Sequence, residues 1–190
     1  MRVKSHQAQK NTDTWDQEYW SKEYRSNFSR KKDISQLEYI QIDPEELPFV
    51  PDAEGEEKER QEQIQKIMSK KMLNLSGMTN ADLKLTYGTA NFSELSVYDQ
   101  NYIVFLRNLN LWGCYLYKNK PEDLQRAKQI FEFAIAHGSD ITATYLTLAD
   151  IYRQEGDLTK IQELLQYVQN SDFYLKDSIC KGLRECIRSF

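Results

Sequence analysis

The residues of this 190-residue chain that carry reactive chemistry are few, and their spacing does not suit it. Ser178-Ile-Cys-Lys181 has the Ser-x-x-Lys spacing with which a lysine activates a serine nucleophile. The partner motifs of that enzyme class are missing, and one four-residue match lies close to chance. The two histidines, His6 and His137, have no second ligand at metal spacing. Cys180 and Cys186 stand six positions apart, about 240° around a helix, so they share neither a ligand set nor a disulfide there. Cys114 follows Trp112-Gly113 and reads as a small helix-packing residue. The acids at 52–62 alternate with Lys58 and Arg60, the mark of a solvated helix face rather than a metal cage. The sequence therefore predicts no catalytic residue, no metal site and no cofactor.

Composition narrows what must position the remaining side chains. Hydrophobic residues make up 40% and charged residues 28%, with seven Gly and four Pro, which disfavours a turn-rich sandwich or barrel. No apolar run approaches the roughly 20 residues that span a bilayer, and no signal peptide begins the chain. Three cysteines are too few for a disulfide framework, so a reducing compartment is expected. The net charge of −4 is unevenly distributed. Residues 1–32 carry eight Lys/Arg and four Asp/Glu, a balance of +4, whereas the rest carry 17 and 25, a balance of −8.

Residues 1–14 are polar and aperiodic and are expected to form a disordered tail. Over 15–28, Trp15, Tyr19, Trp20, Tyr24 and Phe28 recur every four or five residues, which predicts a short helix with its aromatics along one side. Residues 34–51 hold Ile34, Leu37, Tyr39, Ile40, Leu47 and Phe49 among Pro44, Pro48 and Pro51, which predicts an extended arm lying on another surface. A polarised amphipathic helix is expected from 52 to about 75, ended by Gly77, and a short helix over 81–87, so that 52–98 forms a third segment. Thereafter 99–190 reads as antiparallel helices broken near Asn119-Lys-Pro121, Gly138, Gly156 and residues 170–173.

Within that last stretch the pattern repeats. Ala127, Phe131 and Ala134 recur 34 residues on as Ile161, Leu165 and Val168, and Leu109, Trp112-Gly113 and Leu116 align, with a two-residue slip, with Tyr145, Leu148-Ala149 and Tyr152. This helix–turn–helix period resembles the tetratricopeptide repeat, with Ser139 where its consensus carries proline. The resemblance implies an all-α fold of antiparallel hairpins, here two repeats and a capping helix. It also implies a groove lined by the first helix of each repeat. Mapped onto this chain, the groove takes Arg107, Asn110, Cys114, Tyr117 and Lys118 from one repeat, and Ala143, Leu146, Asp150, Arg153 and Gln154 from the next. Such a surface suits an extended acidic or carboxylate-ending peptide, or else the 34–51 arm itself. Asn110 and Cys114 depart from the carboxylate-clamp pattern of chaperone-binding repeats.

Phe28-Ser-Arg-Lys-Lys-Asp-Ile-Ser, Leu37-Glu-Tyr-Ile-Gln-Ile, Leu47-Pro-Phe, Asn80-Ala-Asp-Leu-Lys-Leu-Thr-Tyr-Gly and Gly138-Ser-Asp-Ile also resemble an uncharacterised family of bacterial tetratricopeptide-like proteins. That resemblance implies no catalytic residues and, usually, a transmembrane helix before the basic segment, which is missing before Met1 here. It would place Arg25 and Arg30-Lys31-Lys32 on the cytoplasmic side, at the inner face of a membrane. The expected function is a non-catalytic protein–protein interaction scaffold with a protein or peptide partner. The alternative is a membrane-proximal adaptor or oligomerisation module acting through Trp15, Trp20, Arg30, Lys31 and Lys32. For Trp15 and Trp20, packing onto the helical body or a second copy competes with lipid contact. A basic front on an acidic body argues against nucleic acid.

Overall fold

The computed structural model describes residues 17–190, and among these the regular structure is helical, without strands. The eight α-helices are α1 (residues 17–26), α2 (Gly55–Met68), α3 (Asn80–Tyr87), α4 (Phe92–Asn119), α5 (Leu124–Ala136), α6 (Thr142–Glu155), α7 (Leu158–Gln169) and α8 (Lys176–Arg188). Trp15 and the 1–14 tail lie outside the described residues. The chain divides into two compact units, one holding residues up to 40 with 71–101, the other 41–70 with 102–190.

In the first unit, α3 begins at a capping box. Thr79 Oγ1 accepts from the Asp82 amide at 3.2 Å while Asp82 Oδ2 accepts from the Thr79 amide at 3.1 Å. Gly88 ends this helix at φ 92°. The segment that follows α1 reaches α3 through the Lys32 amide, which donates to the Tyr87 carbonyl at 3.1 Å. The fully buried Asn91 side chain then donates through Nδ2 to the Lys32 and Tyr87 carbonyls, each at 2.7 Å. A small core of Ile34, Leu73, Leu75, Leu83 and Leu95 closes the unit. The helix expected to run to Leu75 stops at Met68. Met72, Leu73 and Leu75 are buried, as their apolar character requires, but on non-helical backbone. Tertiary partners supply the hydrogen bonds a helix would have made: the Leu73 amide donates to the Tyr98 carbonyl at 3.3 Å and the Leu75 amide to Asp99 Oδ1 at 3.0 Å.

In the second unit, α4 and α5 run antiparallel: the Tyr102 hydroxyl, early on α4, donates to the His137 carbonyl beyond the end of α5 at 2.7 Å. Further along α4, Gly113 abuts Phe131, and the pair can approach this closely only because Gly113 has no Cβ. The core residues Phe105, Trp112, Phe131, Tyr145, Leu148, Ile151, Ile161, Ile179 and Leu183 are essentially inaccessible to solvent. Burial of each large apolar side chain contributes about 1.5–3 kcal/mol. Ser139, where the repeat consensus has proline, is buried, and its carbonyl accepts from the Tyr145 hydroxyl at 2.7 Å. Helices α4, α6 and α8 lie side by side in parallel: Asn110 meets Thr144 and Tyr117 meets Asp150 between α4 and α6, while Leu146 meets Gly182 and the Ala149 carbonyl meets Cys186 between α6 and α8.

Residues 41–51 follow the prediction of a proline-broken strip, apart from one 3₁₀ turn at Pro44–Glu46. Phe49 stacks on Trp112 at 5.2 Å between ring centroids, and Leu47 is buried. The strip is fastened by α5 and α2. Arg126 donates to the Pro48 carbonyl at 3.1 and 3.2 Å, Gln129 to the Glu46 carbonyl at 3.0 Å, and the Val50 amide to Gln61 at 3.1 Å.

Candidate functional site

Of the residues anticipated for a groove, Asn110, Cys114, Tyr117, Asp150, Arg153 and Gln154 enter hydrogen-bonded clusters on the adjoining faces of α4 and α6. The larger cluster centres on Asp150. Its Oδ2 accepts from the Tyr117 hydroxyl and from Gln154 Nε2 at 2.9 Å, and its Oδ1 accepts from Arg153 Nε at 3.0 Å and Nη2 at 2.5 Å. Burial alone would raise the Asp150 carboxyl. The hydrogen bonds from Tyr117, Arg153 and Gln154, with the charge of Arg153, outweigh it and hold the group below its ordinary value. Tyr117 is pushed upward by its bond to Asp150 and then by burial. At neutral pH the cluster is therefore an ionised carboxylate with a protonated phenol.

Two turns earlier, Asn110 Oδ1 accepts from Thr144 Oγ1 at 3.1 Å and from Cys114 Sγ at 3.8 Å. Burial raises the Cys114 thiol, which keeps it protonated and unreactive. Thr144 was not among the anticipated groove residues, although it stands 34 positions after Asn110, the period of the repeat itself. Leu146, mapped to the groove, instead packs against Gly182 of α8.

The charge pattern of this surface differs from the sequence map in one respect. Arg153 is committed to Asp150, whereas Arg107 and Lys118 are exposed and form no ion pair among the described residues. The contacts of residues 41–51 go to α2, α5 and Trp112 and leave these groove side chains uncovered. A depression of roughly 330 Å³ elsewhere in the same unit is lined by residues that include Glu132, Tyr152, Leu164 and Tyr167.

A second cluster has no signal in the sequence. Glu57 on α2 is fully buried and accepts from Lys120 and Arg126, each at 2.5 Å, while Arg126 also holds Asp123 at 2.8 Å. Burial alone would raise its carboxyl, but the two cations bring it below its ordinary value. Because Arg126 also holds the Pro48 carbonyl, this cluster joins α2, the arm and the α4–α5 turn.

Of the N-terminal candidates, Trp20 is 67% exposed, and Arg30, Lys31 and Lys32 are exposed. No group of three His, Cys, Asp or Glu side chains among the described residues is arranged to hold a metal, and no described helix is long and apolar enough to cross a membrane. No protein-family model matches the chain, and neither a curated protein nor a solved structure does.

Proposed function

We propose that the second unit is a tetratricopeptide-like, non-catalytic interaction module that takes an extended acidic or carboxylate-ending peptide along the α4–α6 face. The observation that carries this reading is the parallel register of α4 and α6. It sets Asn110 beside Thr144 and Tyr117 beside Asp150, at separations of 34 and 33 residues, on a face that residues 41–51 leave open. Side-by-side first helices with a near-constant offset are what a 34-residue helical repeat requires. The capping role assigned to α8 suits its composition, since it buries Ile179, Cys180 and Leu183 while Lys181, Arg184 and Glu185 face solvent.

Within the groove, Arg107 and Lys118 are the cations free to meet a ligand carboxylate. The Asp150 cluster serves as a fixed polar wall, because its donors are already engaged. Acidic peptides with free or amidated C-termini, arrayed against the full-length chain, test the reading. Arg107→Glu/Lys118→Glu should lower binding about tenfold or more, while Lys181→Glu on α8 should leave it unchanged. Equal binding by wild type and the double variant would remove the groove from consideration.

A further inference from the structure

Helix α1 is mounted with its apolar side outward. Its inner side is polar: Lys22 pairs with Asp82 at 2.6 Å, Glu23 with Lys84 at 3.0 Å, and Ser26 is fully buried, its carbonyl accepting from Thr89 Oγ1 at 2.7 Å. Asn27 Oδ1 takes a second hydrogen bond from Lys84 at 3.0 Å, and just beyond the helix Ser29 Oγ reaches Thr89 Oγ1 at 3.2 Å. The opposite side presents Tyr19, Trp20, Tyr24 and Phe28, which are 59–70% exposed. The rings pair among themselves, Tyr19 with Trp20 at 5.5 Å and Tyr24 with Phe28 at 5.1 Å, and the two pairs form an exposed aromatic ridge along the helix. A surface helix normally buries such a stripe and solvates its ions. Here two salt bridges hold the stripe away from the unit's core.

Beside the ridge stand Arg25 and the run Arg30-Lys31-Lys32, all exposed and none in an ion pair among the described residues. We propose that this ridge is a docking surface for an anionic lipid bilayer. The aromatic rings would enter the headgroup region while the four cations meet lipid phosphates and carboxylates. Trp and Tyr favour that boundary because each joins an apolar body to a polar edge. The free cations supply the charge complementarity. A second copy is a poorer occupant, since a two-fold contact through this face would double the same positive charge at one place. A nucleic acid would use the cations but has no need of an outward convex row of four rings.

Flotation of the full chain with vesicles of phosphatidylcholine alone, or mixed with phosphatidylserine, tests this directly. Wild type should float with the mixed vesicles and remain below with the neutral ones. Arg30→Gln/Lys31→Gln/Lys32→Gln should weaken partitioning roughly a hundredfold, since each surface cation contributes about a fivefold factor. Trp20→Ser/Tyr24→Ser/Phe28→Ser should weaken it about tenfold or more at low salt, where charge alone would still hold the protein. Independently of these variants, brominated acyl chains should quench wild-type tryptophan emission, and Trp20→Phe should remove part of that quenching. Equal flotation with neutral vesicles, or an aromatic variant that floats as well as wild type, would overturn the proposal. So would an aromatic-dependent dimer in sedimentation without flotation, or oligonucleotide binding indifferent to the aromatic substitutions.

Discussion

Glu57→Gln is the most informative single change to the scaffold. The wild-type carboxylate is fully buried and meets Lys120 and Arg126, so the substitution leaves two cations facing a neutral amide. Removing one partner of a fully buried pair costs about 3–5 kcal/mol. Here both cations keep a route to water, with Lys120 34% and Arg126 18% exposed, and Arg126 retains Asp123 and the Pro48 carbonyl. The expected loss is therefore about 2–3 kcal/mol, below that range. For a unit of roughly 120 residues this lowers the melting temperature by about 8–12 °C. The carboxyl is held below its ordinary value of 4.5 in the folded chain, so the folded state favours its ionised form. Its contribution is complete above pH 4.5 and fades as pH falls through the lower folded value. Melting curves of wild type and Glu57→Gln should thus differ most at neutral pH and converge in acid. An offset that stays constant down to pH 3.5, below the ordinary value of 4.5, would refute the reasoning, as would an unchanged melting temperature at pH 7.

Two further predictions concern glycines. A Cβ on Gly113 would sit 2.7 Å from the buried Phe131 ring, whereas one on Gly182 would meet the flexible end of Leu146. Gly113→Ala should lose about 1–3 kcal/mol of stability, and Gly182→Ala should stay within about 0.5 kcal/mol as helix propensity offsets the contact, both read by urea unfolding. Gly88 combines φ 92° with an approach to the Arg30 carbonyl that admits no Cβ, so Gly88→Ala should cost about 2–4 kcal/mol. Hydrogen exchange should show lost protection at the Lys32 amide, which is bonded to Tyr87.

The close packing of α4, α5 and α6 was legible because helices in contact constrain side-chain size. Gly113, Phe131, Ala134, Tyr145 and Ala149 mark their positions in sequence by how much space each leaves, and all five are buried. The end of α2 was not legible. Its apolar spacing continues past Met68, and only the Tyr98 carbonyl and the Asp99 carboxylate, reached through the fold, make the non-helical path the better one.

The same division applies to the candidate sites. Sequence alone determined that the described chain is helical, that the α4–α6 face carries several of its residues, though not Thr144, and that an aromatic row adjoins a basic run. These follow from periodicity, which each segment carries in itself. Only the tertiary structure decided that Asp150 consumes Arg153, that Arg107 and Lys118 are left free, and that Glu57 gathers Lys120 and Arg126 from 63 and 69 residues away. It alone turned the Tyr19–Phe28 row outward. A helix records which side is apolar, but which side meets the body depends on the partners that Asp82, Lys84 and Thr89 offer from a distant part of the chain.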